Sequence, residues 1–249
     1  MIDAQDAAPG DPAPEDAEAA GSGMRPMTER QAARRRTILS VTLSMIAEQG
    51  YAAVTMERLA AASGVSKKTL YDIHGGKDAL LAAAVSGRMR DVMARIEARA
   101  EGCGLPRLLL VIRLTIRAVL ETPQLSRALQ PILLRDPGRF TIRAFFDRLH
   151  RQCLRDMVAD GALADWADDD FLIRNMMVEQ IGIQNFWAAD IIRSEQLEAF
   201  SLLSACRILL PPAQGPMHDA LVAEVRRCQA QLAAWDYGCG SLAADRCGD

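Results

Sequence analysis

Ser63-Gly64-Val65-Ser66-Lys67-Lys68-Thr69-Leu70-Tyr71-Asp72-Ile73-His74 is the stretch on which the reading of this chain turns. Gly64 can take a positive φ at a tight turn, and Ser66 carries the short hydroxyl that caps a helix start. The helix predicted behind it, to about Ile73, offers Lys, Thr and Tyr, groups that suit phosphate oxygens and base edges. Extended to Lys77, the same stretch holds all three lysines of the chain, Lys67, Lys68 and Lys77; arginine carries every other fixed positive charge. A helix this short does not stand alone in water, so neighbours must hold it.

Those neighbours are legible upstream. Ile38, Val41, Met45 and Ile46 fall at helical spacing on one face of a helix that begins near Thr28 and ends at Gln49-Gly50. Thr55 is a good N-cap for a second helix, Met56 to Ala62, with Met56, Leu59 and Ala60 inward. Ala60 permits close helix contact, while Val65 and Leu70 anchor the third helix to the core. Lys67, Lys68, Thr69 and Tyr71 are left on or near its exposed side, and its N-terminus turns free N–H groups outward. That arrangement is a helix-turn-helix.

The charge distribution agrees. The chain is net −3 over its 249 residues, which by itself argues against a DNA binder. Yet Arg25, Arg30, Arg34, Arg35, Arg36, Arg58, Lys67, Lys68 and Lys77 face only Glu29, Glu48, Glu57 and Asp72 between positions 25 and 77. A basic module on an acidic body is an electrostatic footprint of nucleic-acid binding. Residues 1–27, rich in Ala, Pro, Asp and Gly, read as a disordered acidic tail.

Strand signals are nearly absent, so the expected fold class is all-α. Residues 28–76 form the helix-turn-helix domain, 77–237 a helical regulatory and dimerisation domain, and 238–249 a C-terminal tail. Helices are expected from Lys77 to about Ala100, to about Glu121, from Pro123 to about Arg135, and to about Asp160. Three more run from Asp168 to Ala189, from Ser194 to Leu210, and from about Met217 to Trp235. No apolar run is long enough to span a bilayer, and the acidic start is no signal peptide, so a cytoplasmic protein is expected. The six cysteines, Cys103, Cys153, Cys206, Cys228, Cys239 and Cys247, show no close pair and read as reduced thiols. His74, His150 and His218 are too scattered to assemble a metal site, and no cofactor motif or activated nucleophile emerges, so no enzyme is expected.

Three segments, Glu48-Gln49-Gly50-Tyr51, Thr55-Met56-Glu57-Arg58-Leu59-Ala60 and Ser63 to Tyr71, resemble the TetR family of transcriptional regulators. The resemblance extends to Gly76-Lys77-Asp78-Ala79-Leu80-Leu81 and covers about a fifth of the chain. It implies a three-helix DNA-binding domain joined by a connecting helix to an all-α ligand and dimerisation domain. It also implies homodimers on double-stranded palindromic operators, usually repressors released by a small-molecule effector. By position, Thr55 resembles the cap that contacts a phosphate, Ser66 caps the third helix, and Lys67, Lys68 and Thr69 match groove-facing positions. Tyr71 resembles the phosphate-contacting aromatic, and Lys77 the lysine that meets the backbone. The family often has His then Phe where this chain has Ile73 and His74, so His74 would have to swing out to replace a phosphate contact. Asp72 is unusual on a face that meets DNA.

A sensor cavity needs apolar groups and a few polar ones. Phe140, Phe145, Phe146, His150, Met176, Met177 and Trp187 are the candidates, with Arg113 or Arg117 as an anion partner. The helices 168–189 and 194–210 are the dimer candidates, with Gly182 and Ser204 small, and Leu197, Phe200, Leu203 and Ile208 apolar. The competing readings are an effector-independent regulator or activator, and a helical interaction module with a degenerate DNA-binding head.

Overall fold

The computed structural model describes residues 28–135 and 142–234; the expected tails at 1–27 and 238–249 lie outside them. Ten helices are described: α1 Glu29–Gln49, α2 Met56–Ser63, α3 Lys67–His74, α4 Lys77–Arg99, α5 Gly104–Leu120, α6 Pro123–Arg135, α7 Ile142–Ala159, α8 Asp169–Ala188, α9 Ser194–Leu209 and α10 Gly215–Ala233. The fold is all-α. Among the described residues no strand forms beyond one isolated bridge, Leu163 to Ala213, which ties the turn after α7 to the turn after α9. No described helix is long and apolar enough to cross a membrane.

Local chemistry sets the ends of these helices. Thr28, Thr55, Ser66 and Asp168 each accept a backbone N–H of the first turn, satisfying one of the donors a helix start leaves unpaired. Gly64 closes α2 at φ 63°, where a side chain would strain the backbone.

α1, α2 and α3 pack around Ile38, Met45, Ile46, Leu59 and Leu70, with Leu80, Leu81 and Val85 from the start of α4 closing the cluster. Leu70 is fully buried; burying a leucine stabilises by about 2 kcal/mol, and this contact fixes which side of α3 faces out. Leu125 and Leu129 of α6 belong to the same cluster, so the second half of the molecule grips the first through α6 as well as through α4.

The larger core joins α5, α7, α8, α9 and α10 around Leu108, Leu154, Met176, Leu202, Cys206 and Leu221. α9 is the inner helix of this body. Leu197 is fully buried and Ser204 is buried, its hydroxyl donating to Glu179, so two of the residues expected to face a partner copy are internal. α9 is buried on most of its circumference because α5, α8 and α10 surround it. α8 carries exposed apolar side chains, Phe171, Val178, Ile181 and Phe186. Cys153, Cys206 and Cys228 are buried free thiols and Cys103 is exposed. Burial pushes the Cys153 thiol up to about 11 and Cys206 to about 12, so both stay protonated and inert.

Candidate nucleic-acid interface and effector cavity

The register of α3 follows from two inward anchors. Leu70 and His74, four residues apart, share the buried face, so Lys68 and Asp72 point the opposite way with Thr69 and Tyr71 beside them. Ser66 Oγ accepts the Thr69 N–H at 3.0 Å and lies 2.8 Å from the Thr69 hydroxyl, fixing the first turn. Gly75, in the left-handed region, donates to the Tyr71 carbonyl at 2.7 Å and ends the helix. Tyr71 is 44% exposed, and Lys67 and Lys68 are exposed. Thr55 is exposed at the start of α2, and Lys77, part-exposed at the start of α4, lies 5.8 Å from the Tyr51 ring. Thr55, Ser66, Lys67, Lys68 and Tyr71 are thus exposed, and Thr69 and Lys77 are partly so.

His74 does not join them. It is 9% exposed, and its Nε2 has no hydrogen-bond partner. Burial lowers its pKa, helped by nearby Arg35, so the ring is held neutral. A neutral ring on the buried face offers no charge to a phosphate, and the expected contact from His74 is withdrawn. The shift that puts His74 where the family often has an apolar residue explains this: the position is an inward one.

One relationship had no signal in the sequence. Lys67 is ion-paired with Glu57 of α2, although both side chains are solvent-exposed. The hydrogen bond lowers the Glu57 pKa and raises that of Lys67. Lys68 is the cation of α3 left without a partner among the described residues.

The second feature is a cavity of about 250 Å³ walled by α4, α5, α6, α7 and α8. Of the candidate residues, Phe146, His150 and Met177 line it, and Phe140 lies outside the described residues. Phe145, Met176 and Trp187 do not. Phe145 is buried against Ile96, Val111 and Leu149, and Met176 packs into the main core. Trp187 is fully buried beside Ile116 and Leu197, donating to Ser194 Oγ at 3.0 Å with Arg127 stacked 4.9 Å from its ring. Met176 and Met177, or Phe145 and Phe146, are neighbours about 100° apart on a helix, so one of each pair meets the cavity and the other the core. Arg113 is absent from the wall because it pairs with Glu224 at 2.6 Å, and Arg117 is exposed. Besides His150, the polar residues that do reach the wall are Arg88, Thr115, Thr122, Ser126, Gln130, Gln180 and Gln184. Their one signal was being polar on otherwise apolar helix faces.

Leu125, Leu129, Met89 and Leu133 line this cavity and also pack into the cluster that holds α1 to α3. A molecule filling the cavity would touch the same side chains that support the DNA-facing helices.

Among the described residues, helices build a helix-turn-helix at one end and a cavity-bearing body at the other. Residues 38–84 match the family model described as "Bacterial regulatory proteins, tetR family", and the N-terminal domain of this chain is a TetR-family domain. Solved structures of that fold are similar over most of the chain. The repressor SmeT of the Stenotrophomonas maltophilia multidrug efflux pump SmeDEF is 19% identical, with TM-score 0.60 over 73% of this chain and 91% of that one. A TetR transcription regulator from Haloarcula marismortui is 21% identical, with TM-score 0.63 over 74% of this chain and 100% of that one. The TetR family protein CprB from S. coelicolor is 17% identical, with TM-score 0.57 over 79% and 98%. No curated protein sequence matches the chain.

Proposed function

We propose that this chain is a homodimeric repressor that holds a palindromic operator and is released when a small molecule fills the cavity. The observation that carries the reading is the shared packing of Leu125 and Leu129. They wall the cavity and buttress the DNA-binding core at once, so occupancy is mechanically linked to the pose of α1 to α3. At the DNA end, α3 enters the major groove with Lys67, Lys68 and Thr69 facing base edges and the bordering phosphates, while Thr55, Tyr71 and Lys77 hold the backbone on either side.

A two-fold dimer follows from the reach of a single short helix, which reads few base pairs; two copies set a half-site spacing. The surface for it is α8. Phe171, Val178 and Phe186 are 64%, 65% and 53% exposed. Gly182 lies among them, and a Cβ built there meets open space in the single chain. Exposed apolar side chains in one patch mark an interaction surface.

The test is selection of bound sequences from a random DNA pool, followed by gel shifts at two salt concentrations. The expected outcome is an inverted repeat with half-site centres about one helical turn or more apart, and affinity that falls steeply with salt. A pool with no enriched sequence would sink the reading. The effector-independent alternative would be favoured by a body without a cavity, and the 250 Å³ space speaks for the ligand-responsive form.

A further inference from the structure

Arg88 bears the one fixed charge on the cavity wall, and no aspartate or glutamate accompanies it there. Its guanidinium donates to the Thr122 hydroxyl at 3.2 Å and has no carboxylate partner among the described residues. Five other arginines of the body, by contrast, pair with an acid from another segment: Arg95 with Glu121, Arg113 with Glu224, Arg127 with Asp190, Arg148 with Glu97 and Arg151 with Asp170. An unmatched guanidinium beside an apolar wall is poorly compensated, and its planar fork fits a carboxylate with two parallel hydrogen bonds.

The rest of the wall is neutral. His150 is 4% exposed, and its Nδ1 has no partner. Burial pushes its pKa down to about 4, against a smaller opposing pull from Asp147, so the ring can donate or accept but brings no charge at neutral pH. Gln130 donates to Gln184 at 3.0 Å, which leaves the Gln130 carbonyl and the Gln184 amide protons for a ligand. Val111 and Val119 both line the space, eight residues apart on α5, a helix length of about 12 Å. The volume suits a molecule on the order of a dozen non-hydrogen atoms at protein packing density.

We propose that the effector is a small amphipathic carboxylic acid, held by its carboxylate on Arg88 and by its apolar body along α5; the assignment rests on the effector-released repressor reading above. Thr122 is a positioning residue, its hydroxyl holding the Arg88 guanidinium beside the cavity wall that both residues line. His150 and the Gln130–Gln184 pair would receive a second, uncharged polar group where the acid carries one.

The probes are four acids, hexanoate, decanoate, 4-phenylbutanoate and 1-naphthoate, each paired with its neutral primary amide and titrated into the full chain by calorimetry. At least one acid is expected to bind tenfold or more tightly than its amide. Arg88→Gln should erase that preference while amide binding and the melting temperature stay near wild type, and Arg88→Lys should keep part of it. Arg88→Met replaces Arg88→Gln where the latter does not fold. Acids that bind no better than amides, no binding by any pair, or a preference that survives loss of the guanidinium would each overturn the assignment. Operator release is read separately by gel shift. An amide that releases DNA as well as its acid leaves the repressor standing and overturns the acid assignment. An acid that binds through Arg88 yet leaves the DNA complex intact does the reverse.

Discussion

Lys67, the first residue of the groove-facing helix α3, is ion-paired with Glu57 on α2, across the turn of the helix-turn-helix. The contact spans ten positions in sequence and joins the two helices on their solvent side. In free protein it occupies a cation that the DNA-bound state would give to phosphate, and it leaves an acid beside the approaching backbone. Glu57→Gln should therefore tighten operator binding severalfold at low salt, an effect that fades as salt screens the exposed carboxylate. Unchanged or weaker binding in a salt titration by gel shift would count against Lys67 as a phosphate ligand.

Lys68 and Tyr71 are expected to behave differently from each other. Lys68→Ala should weaken binding to all sequences and lower the slope of log affinity against log salt by about one. Tyr71→Phe should leave that slope alone and cost affinity through one lost hydrogen bond. Both variants should sediment as dimers. Wild-type operator affinity in both would show that the open face of α3 is not the reading face.

Asp72 shares the outward face with Lys68 and has no partner among the described residues. Asp72→Asn should raise affinity for arbitrary DNA and narrow the gap between operator and random sequence, measured as a ratio of dissociation constants. If the ratio is unchanged, Asp72 does no more than solvate the helix.

His150 gives the body a pH dependence. Its pKa is near 4 in the folded protein, against the 6.5 of an ordinary histidine exposed in the unfolded chain. The unfolded chain therefore binds the extra proton, and stability rises with pH across that interval. Stability is fully present above about pH 6.5 and falls as the pH drops toward 4, by on the order of 3 kcal/mol from this one ring. His74, also held neutral by burial, acts in the same direction. Urea denaturation at steps between pH 4 and 7 should show a shallower slope of stability against pH in His150→Phe than in wild type; identical slopes would refute the buried neutral ring.

Trp187 separates core from cavity. Trp187→Phe loses the hydrogen bond to Ser194 and part of the stacking with Arg127. It should destabilise the fold by about 1–3 kcal/mol while leaving ligand affinity unchanged. A variant of normal stability with altered ligand binding would return Trp187 to the cavity wall.

The helix limits were readable because single residues carry them. Thr55, Ser66 and Asp168 cap, while Gly50, Gly64, Gly75 and Gly161 stop, and each has a local physical reason that needs no partner from elsewhere. The exposed face of α3 was readable in part for the same reason: Leu70 was legible as an inward anchor, while the second anchor, His74, was not. His74 was misjudged because a histidine on paper carries no sign of whether its ring lies in or out. The cavity was only half legible. Helical spacing tells inward from outward, but not which inward side chains meet packed neighbours and which meet open space. That is how Met177 and Phe146 part from Met176 and Phe145. Arg88 hid among many arginines, and nothing in the sequence tells the one on the cavity wall from those on open surface or those paired with an acid from a distant helix.

The double membership of Leu125 and Leu129 has a practical bearing on anyone who would redesign this protein as a biosensor. Residues such as Val92, Met93 and Ile181 also touch the chamber but stay out of the cluster around α1 to α3. Under the proposed release mechanism, recognition of a new compound would be tuned there with the output stage left intact, whereas changes at 125 or 129 would retune the alarm and the lock together.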